Sequence, residues 1–255
     1  MRQVPTLLLL HGGPGFDHSV FKPDLSGFNE IAQIIYLDHR GNGRSDWDSS
    51  DRWNLDRWGD DIRAFCDVLE IEKPIVLGES FGGMVAMSYA TRHPDHPGKL
   101  ILASTAAQMR TDRSLDVFEK LGGQDAREVA RRFFEEPSQS VMAEYVQKCL
   151  PLYTQTQRSS DWMARSVQNT EITSFFFQNE IRTFNMLPQL ERIKCPTLIT
   201  AGEMDPITPI QNSEDIAAAI PKGLARLERF KNAGHGVQRD DPAGFERVVR
   251  AFIGS

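Results

Sequence analysis

Three short segments of this chain carry residue types that could together perform acyl transfer. They are a serine between glycines, a glycine-rich turn after an early apolar run, and a late histidine preceded by a late aspartate. Gly78-Glu79-Ser80-Phe81-Gly82 fits the pattern G-x-S-x-G, in which flanking glycines let the chain make a strained strand-to-helix turn that exposes a serine hydroxyl. Three fixed residues arise by chance in about one chain of this length in ten, so context decides. Here the motif follows the apolar run Ile75-Val76-Leu77 and precedes Gly83-Met84-Val85-Ala86-Met87, small and apolar enough to pack a helix against a sheet. A phosphate loop would want Gly-Lys-Ser/Thr and a dinucleotide site G-x-G-x-x-G; neither is present. Ser80 is therefore the candidate nucleophile.

A serine attacking an acyl carbon needs two donors for the oxyanion that develops. Phe81 N–H, at the positive end of the helix that follows Ser80, supplies one. His11-Gly12-Gly13-Pro14-Gly15 lies directly after a predicted strand, where glycines let backbone N–H groups approach a ligand, and Gly13 N–H is the second candidate.

The serine also needs a neutral imidazole as base. Of six histidines (His11, His18, His39, His93, His96 and His235) only His235 lies in the later half of the chain, in Asn232-Ala233-Gly234-His235-Gly236 beyond a predicted strand. Ser, then acid, then His is the order in which such a turn finds its partners. Gly202-Glu203-Met204-Asp205-Pro206 follows the preceding strand, which makes Asp205 the first choice of acid and Glu203 the alternative.

Positioning these groups requires loops on one edge of a mostly parallel sheet. Thr6 to Leu10, Ile34 to Asp38, Pro74 to Gly78, Lys99 to Ala103, Pro196 to Ala201 and Ala225 to Phe230 read as strands. Leu55, Trp58, Ile62, Phe65 and Leu69 recur at helical spacing, and Met84 to Arg92, Ser213 to Ile220 and Ala243 to Ile253 read as further helices. The fold class is α/β, a mostly parallel sheet flanked by helices. Residues 106–190 show no strong strand and are rich in helix formers and in aromatics such as Phe133, Phe134, Tyr145, Trp162 and Phe175 to Phe177. They read as a helical cap inserted after the fourth strand, with 1–105 and 191–255 forming the core.

A net charge of −6 without a Lys/Arg cluster argues against nucleic acid and anionic membrane as partners, leaving a small acyl substrate. Cys66, Cys149 and Cys195 are odd in number and far apart, and the apolar run before His11 is too short for a signal segment. No disulfide, metal or cofactor is expected, and a cytoplasmic location is.

Together these residues resemble the α/β-hydrolase superfamily. The segment His11 to Gly15, with Asp38-His39-Arg40-Gly41-Asn42-Gly43-Arg44-Ser45, resembles its proline iminopeptidase branch. The resemblance spans nearly the whole chain. Such peptidases read a free amino terminus with cap carboxylates, yet the Trp-x-x-Trp-Glu segment of many of them has no counterpart here. Glu171 and Glu180 are the available substitutes, solvated helix charge being the plainer reading of both. Relatives also carry two antiparallel strands ahead of the strand leading to His11. The expectation is a sheet of about six strands, either because that pair is lacking or because the reading frame is shortened. The second strand would then be left at an open edge or covered by a neighbouring chain in a homo-oligomer.

The reaction implied is hydrolysis of a small carboxylic ester or lactone through an acyl-enzyme. A proline iminopeptidase-type aminopeptidase is the alternative, and a ligand-binding receptor that kept the fold is the alternative of another class. Serine rather than aspartate at position 80 disfavours dehalogenase and epoxide hydrolase chemistry, and Gly83 stands where Ser-x-x-Lys would need lysine.

Overall fold

In a computed structural model of the chain, residues 4–136, 138–156 and 162–255 are described, Trp162 by its backbone alone, so the expectation for that indole lies outside the described residues. Six parallel strands form one sheet: β1 (Thr6–Leu10), β2 (Gln33–Leu37), β3 (Ile75–Glu79), β4 (Lys99–Ala103), β5 (Thr197–Gly202) and β6 (Ala225–Phe230), in the order β2-β1-β3-β4-β5-β6. Each lies within a residue of its predicted span.

The period of two along the strands builds two cores. Leu8, Leu10, Val76, Leu100, Leu102 and Ile199 face one layer of helices, while Leu7, Leu9, Ile75, Leu77, Ile101 and Leu198 face the other. Fully burying one such leucine stabilises the fold by about 1.5–3 kcal/mol, so this alternation fixes the strand register. On the first face lie α1 (Leu55–Val68), α2 (Phe81–Arg92) and, further along the chain, the later helix Ile210–Ala219. Asn54 caps α1 by accepting the Arg57 N–H at 2.8 Å. Helix α2 is buried on nearly every side because α1 covers it against the sheet. The closing helix, Pro242–Gly254, covers the second face through Phe245, Val248, Val249, Phe252 and Ile253, with Asp241 capping its start.

Between β4 and β5 the chain is helical, as expected. Among the described residues five α-helices fall here: α3 (Thr111–Glu135), which turns sharply at Gly123, α4 (Gln139–Lys148), α5 (Trp162–Arg165), α6 (Thr170–Gln178) and α7 (Glu180–Thr183). Phe118, Val129, Ala130, Phe133, Val141, Tyr145 and Cys149 give this insertion a small core of its own. Phe176 of α6 instead joins the main core, 5.2 Å from the Phe81 ring.

Strand β2 is at the sheet edge and half-buried along Ile34 to Leu37. The Gln33 N–H points inward to Pro5 O at 2.9 Å. By alternation the backbone groups of Ile34 and Tyr36 face the open side.

Candidate active site

Because every strand is parallel, the loops leaving β1, β3, β5 and β6 emerge on one edge of the sheet. Strand order then pairs them. β1 beside β3 sets the His11–Gly15 turn against Ser80, and β5 beside β6 sets Asp205 against His235.

Ser80 has φ 54° and ψ −118°, a conformation that L residues rarely adopt and that costs on the order of 1–3 kcal/mol. Its neighbours hold it there. Ser80 N–H donates to Ala103 O at 2.9 Å, and Thr105 Oγ1 donates to Ser80 O at 2.7 Å. The turn is tight enough that a Cβ on Gly82 would stand 2.0 Å from Leu10 O, so only glycine lets α2 start here. Helix α2 begins at Phe81, three residues earlier than expected, which leaves the Phe81 N–H among the first-turn donors with no intrahelical acceptor.

The facing turn lies close by: a Cβ on Gly12 would be 3.3 Å from Ser80 Cβ and 3.9 Å from its Oγ. His11, fully buried, donates through Nδ1 to Gly12 O at 2.8 Å and accepts the His39 N–H at Nε2 at 3.4 Å. Burial lowers the pKa of His11 despite the bond to Gly12 O, in keeping with the neutral tautomer. Gly12 C=O and Gly13 N–H share one peptide plane and point in opposite directions. His11 therefore fixes the direction of the Gly13 N–H. Further on, Gly15 N–H donates to Asn42 Oδ1 at 2.6 Å.

Asp205 is completely buried, whereas Glu203 is exposed. His235 Nδ1–H donates to Asp205 Oδ2 at 2.8 Å. The carboxylate also accepts Ile207 N–H at 2.8 Å, Thr208 N–H at 2.9 Å and Thr208 Oγ1–H at 2.8 Å. Burial alone would raise the Asp205 pKa, but the His235 charge and these donors outweigh it and the pKa is lowered. For His235 burial pulls the pKa down while the charge and hydrogen bond of Asp205 push it up, with a net rise. With Nδ1 committed, Nε2 is the nitrogen left to take a proton. Among the described residues the bonds of the His235 ring run only through Nδ1, so Ser80 Oγ is not hydrogen-bonded to it in this arrangement. Such contacts are often long before substrate arrives and tighten in the Michaelis complex.

The helical insertion reaches this site directly. His235 N–H donates to Tyr153 O at 2.6 Å, and the two rings meet edge to face at 5.4 Å. Asp240 accepts Gln155 N–H, Thr156 N–H and Gly234 N–H at 2.8–3.0 Å, clamping the insertion to the loop of His235. Thr173 of α6 donates to Pro14 O at 2.8 Å. Neither of the possible substitute carboxylates stands free in a buried pocket. Glu180 Oε1 accepts the Leu55 N–H at 3.0 Å, and Glu171 is exposed.

Two other features lie elsewhere. A cleft of about 510 Å³ beside β2 is lined by Tyr36, His39, Trp58 and Phe65 but by none of Ser80, Asp205 or His235. Asp17, His18 and Asp38 hold ligand-type atoms within 4.8 Å of one another. Their carboxylates already accept Ser19 N–H, Val167 N–H, His18 and Arg44, which makes them a hydrogen-bonded knot.

A buried acid–imidazole pair and a strained serine at the carboxyl edge of one parallel sheet define a hydrolase-type α/β architecture. The sequence model described as the alpha/beta hydrolase fold matches residues 5–242, and the chain belongs to that family. It is similar to the AB hydrolase superfamily protein YisY of Bacillus subtilis, at 28% identity over 98% of this chain and 91% of that one. Among solved structures it is similar to the proline iminopeptidase of Mycobacterium smegmatis, with TM-score 0.81 and 22% identity over 100% of this chain and 90% of the other. The enol-lactonase of Burkholderia xenovorans LB400 is also similar, with TM-score 0.74 and 20% identity over 99% and 92%.

Proposed function

We propose that this chain is a serine hydrolase that cleaves a small carboxylic ester or lactone through an acyl-enzyme, with Ser80 as nucleophile, His235 as general base and Asp205 orienting it. The observation that carries the reading is the buried 2.8 Å bond from His235 Nδ1 to Asp205 Oδ2, which leaves Nε2 to serve a serine held in a strained turn. His235 takes the Ser80 proton as Oγ attacks the acyl carbon, and Gly13 and Phe81 N–H groups receive the oxyanion. His235 then protonates the leaving oxygen, and water, deprotonated by the same imidazole, releases the acid. Losing one oxyanion donor typically costs about 10²–10³ in rate.

In this reading residues 106–190 act as a cap over a core of 1–105 and 191–255. The partner is a small acyl substrate, with no cofactor, nucleic acid or membrane needed. A cytoplasmic location and association of copies through the β2 edge complete the proposal.

A proline iminopeptidase-type activity is the second reading, favoured by the solved iminopeptidase neighbour and by the His11–Gly15 segment. Recognition of an ammonium group calls for a buried, uncommitted carboxylate. The bond from Leu55 N–H to Glu180 and the exposure of Glu171 weigh against it.

The test compares initial rates on a short-chain p-nitrophenyl ester, an acyl lactone and a prolyl anilide. Ester or lactone turnover with the anilide untouched is expected. Preferred cleavage of the anilide would overturn the substrate assignment.

A further inference from the structure

Glu79, the residue before Ser80, is a buried acid that the triad does not use. Its Oε1 accepts Gln238 Nε2–H at 2.9 Å, and Gln238 lies three residues beyond His235 in the sequence. Arg239 NH2 stands 3.9 Å from the same oxygen. Oε2 is buried with no hydrogen-bond partner among the described residues. An orphaned buried carboxylate oxygen destabilises the fold, and apolar side chains of similar size would fill the position without that cost. A charged group kept there at such cost, one residue from the nucleophile and bonded to the helical turn after the base, points to a role in the reaction.

We infer that Glu79 is a positioning residue for His235. Through Gln238 it ties the strand bearing Ser80 to the turn bearing the base, and its negative charge favours the imidazolium formed when His235 takes the serine proton. The inference rests on the serine hydrolase reading above. The groups that face His235 are the Asp205 carboxylate and Thr208 hydroxyl from the loop after β5, and the Tyr153 ring from the insertion. Arg239 stands on the turn that follows, and Glu79 on β3. Of these only Asp205 and Glu79 bring negative charge, and both raise the His235 pKa, while burial and Arg239 lower it. Of the two carboxylates only Asp205 touches the ring, so Glu79 acts through space and through Gln238. Deleting its charge should leave the Nδ1 bond intact.

The test uses Glu79→Gln, which keeps an acceptor for Gln238 and removes the charge, alongside Gln238→Met, which removes the tether and keeps the charge. Two readouts are taken: the pH profile of kcat/KM on a p-nitrophenyl ester, and the titration of the His235 ring protons by NMR. The second needs no turnover, so it separates failure of this inference from failure of the hydrolase assignment. With Glu79→Gln the acid limb and the NMR midpoint should both move to lower pH, by roughly half a unit or more, and kcat should fall about 5- to 30-fold with KM nearly unchanged. Gln238→Met should lower kcat while leaving the midpoint in place. A midpoint that does not move in Glu79→Gln overturns the inference, whatever happens to activity. Should Glu79→Gln not fold, Glu79→Met, which also removes the charge, serves instead: its midpoint should likewise move to lower pH, and an unmoved midpoint overturns the inference equally.

Discussion

The backbone N–H of His235 donates to the carbonyl of Tyr153, 2.6 Å away, so the loop that carries the proposed base hangs from the helical insertion as well as from the sheet. Tyr153 follows α4 and the insertion's small core, in which Tyr145 stacks on Phe133 at 4.0 Å and bonds Tyr153 Oη at 2.7 Å. Movement of the insertion is thereby linked to the placement of His235.

Asp240 carries that link in side-chain form. Asp240→Ala removes acceptors for Gly234, Gln155 and Thr156 at once. Hydrogen bonds to a charged group contribute about 1.5–3 kcal/mol each at most. The expected result is a fall in Tm of roughly 3–10 °C together with a kcat loss of about tenfold. Thermal melts and initial rates check both. A lowered Tm with unchanged kcat would mean that the clamp is structural only.

The pH profile follows from the acid–imidazole pair. Asp205 holds the His235 pKa above the ordinary imidazole value of 6.5. The proposed base is active when neutral, so kcat/KM should rise with pH and reach half its plateau above pH 6.5. Asp205→Asn removes the charge, which should move this limb to lower pH and reduce the plateau by about 10²–10⁴. A profile flat from pH 5 to about 9 would exclude histidine as the base.

Asn42 holds the His11–Gly15 turn, the proposed oxyanion site, from outside. Its Oδ1 accepts the Gly15 N–H at 2.6 Å and its Nδ2 donates to Arg40 O at 2.9 Å. Asn42→Ala leaves a buried N–H unsatisfied, a cost of about 1–3 kcal/mol, and loosens the Gly13 N–H. The expected kinetic result is a drop in kcat of about tenfold with KM little changed, measured as a split of the two parameters. A change confined to KM would place Asn42 in substrate binding instead.

What the sequence disclosed and what it hid divide along sequence distance. Gly78 to Gly82 and His11 to Gly15 are local patterns whose backbone demands are written in their glycines, and five of the six strands are written in apolar runs, the charged β6 being the exception. The segment Gly202 to Pro206 offers Asp205 as first choice of acid and Glu203 as the alternative; the first is buried and the second exposed. The bonds from Gln238 to Glu79, from His235 to Tyr153 and from Leu55 to Glu180 join residues separated by 159, 82 and 125 positions. No periodicity or motif in one sequence encodes such pairs, because each exists only once the sheet order has been set. The N-terminal turn of α2 extends three residues beyond what propensity predicts, since Gly82 and Gly83 are poor helix formers and only close packing, Gly82 on Leu10 O, makes them helical.

In the proposed reaction Ser80 is a nucleophile activated by His235. The most direct test of that role is labelling with a fluorophosphonate, located by mass spectrometry of the digested protein, in wild type, Ser80→Ala and His235→Ala. One phosphonylated residue, Ser80, is expected, with no label in Ser80→Ala and labelling slowed by about 10²-fold or more in His235→Ala. Label that persists in Ser80→Ala, or that forms at the wild-type rate without His235, would contradict it.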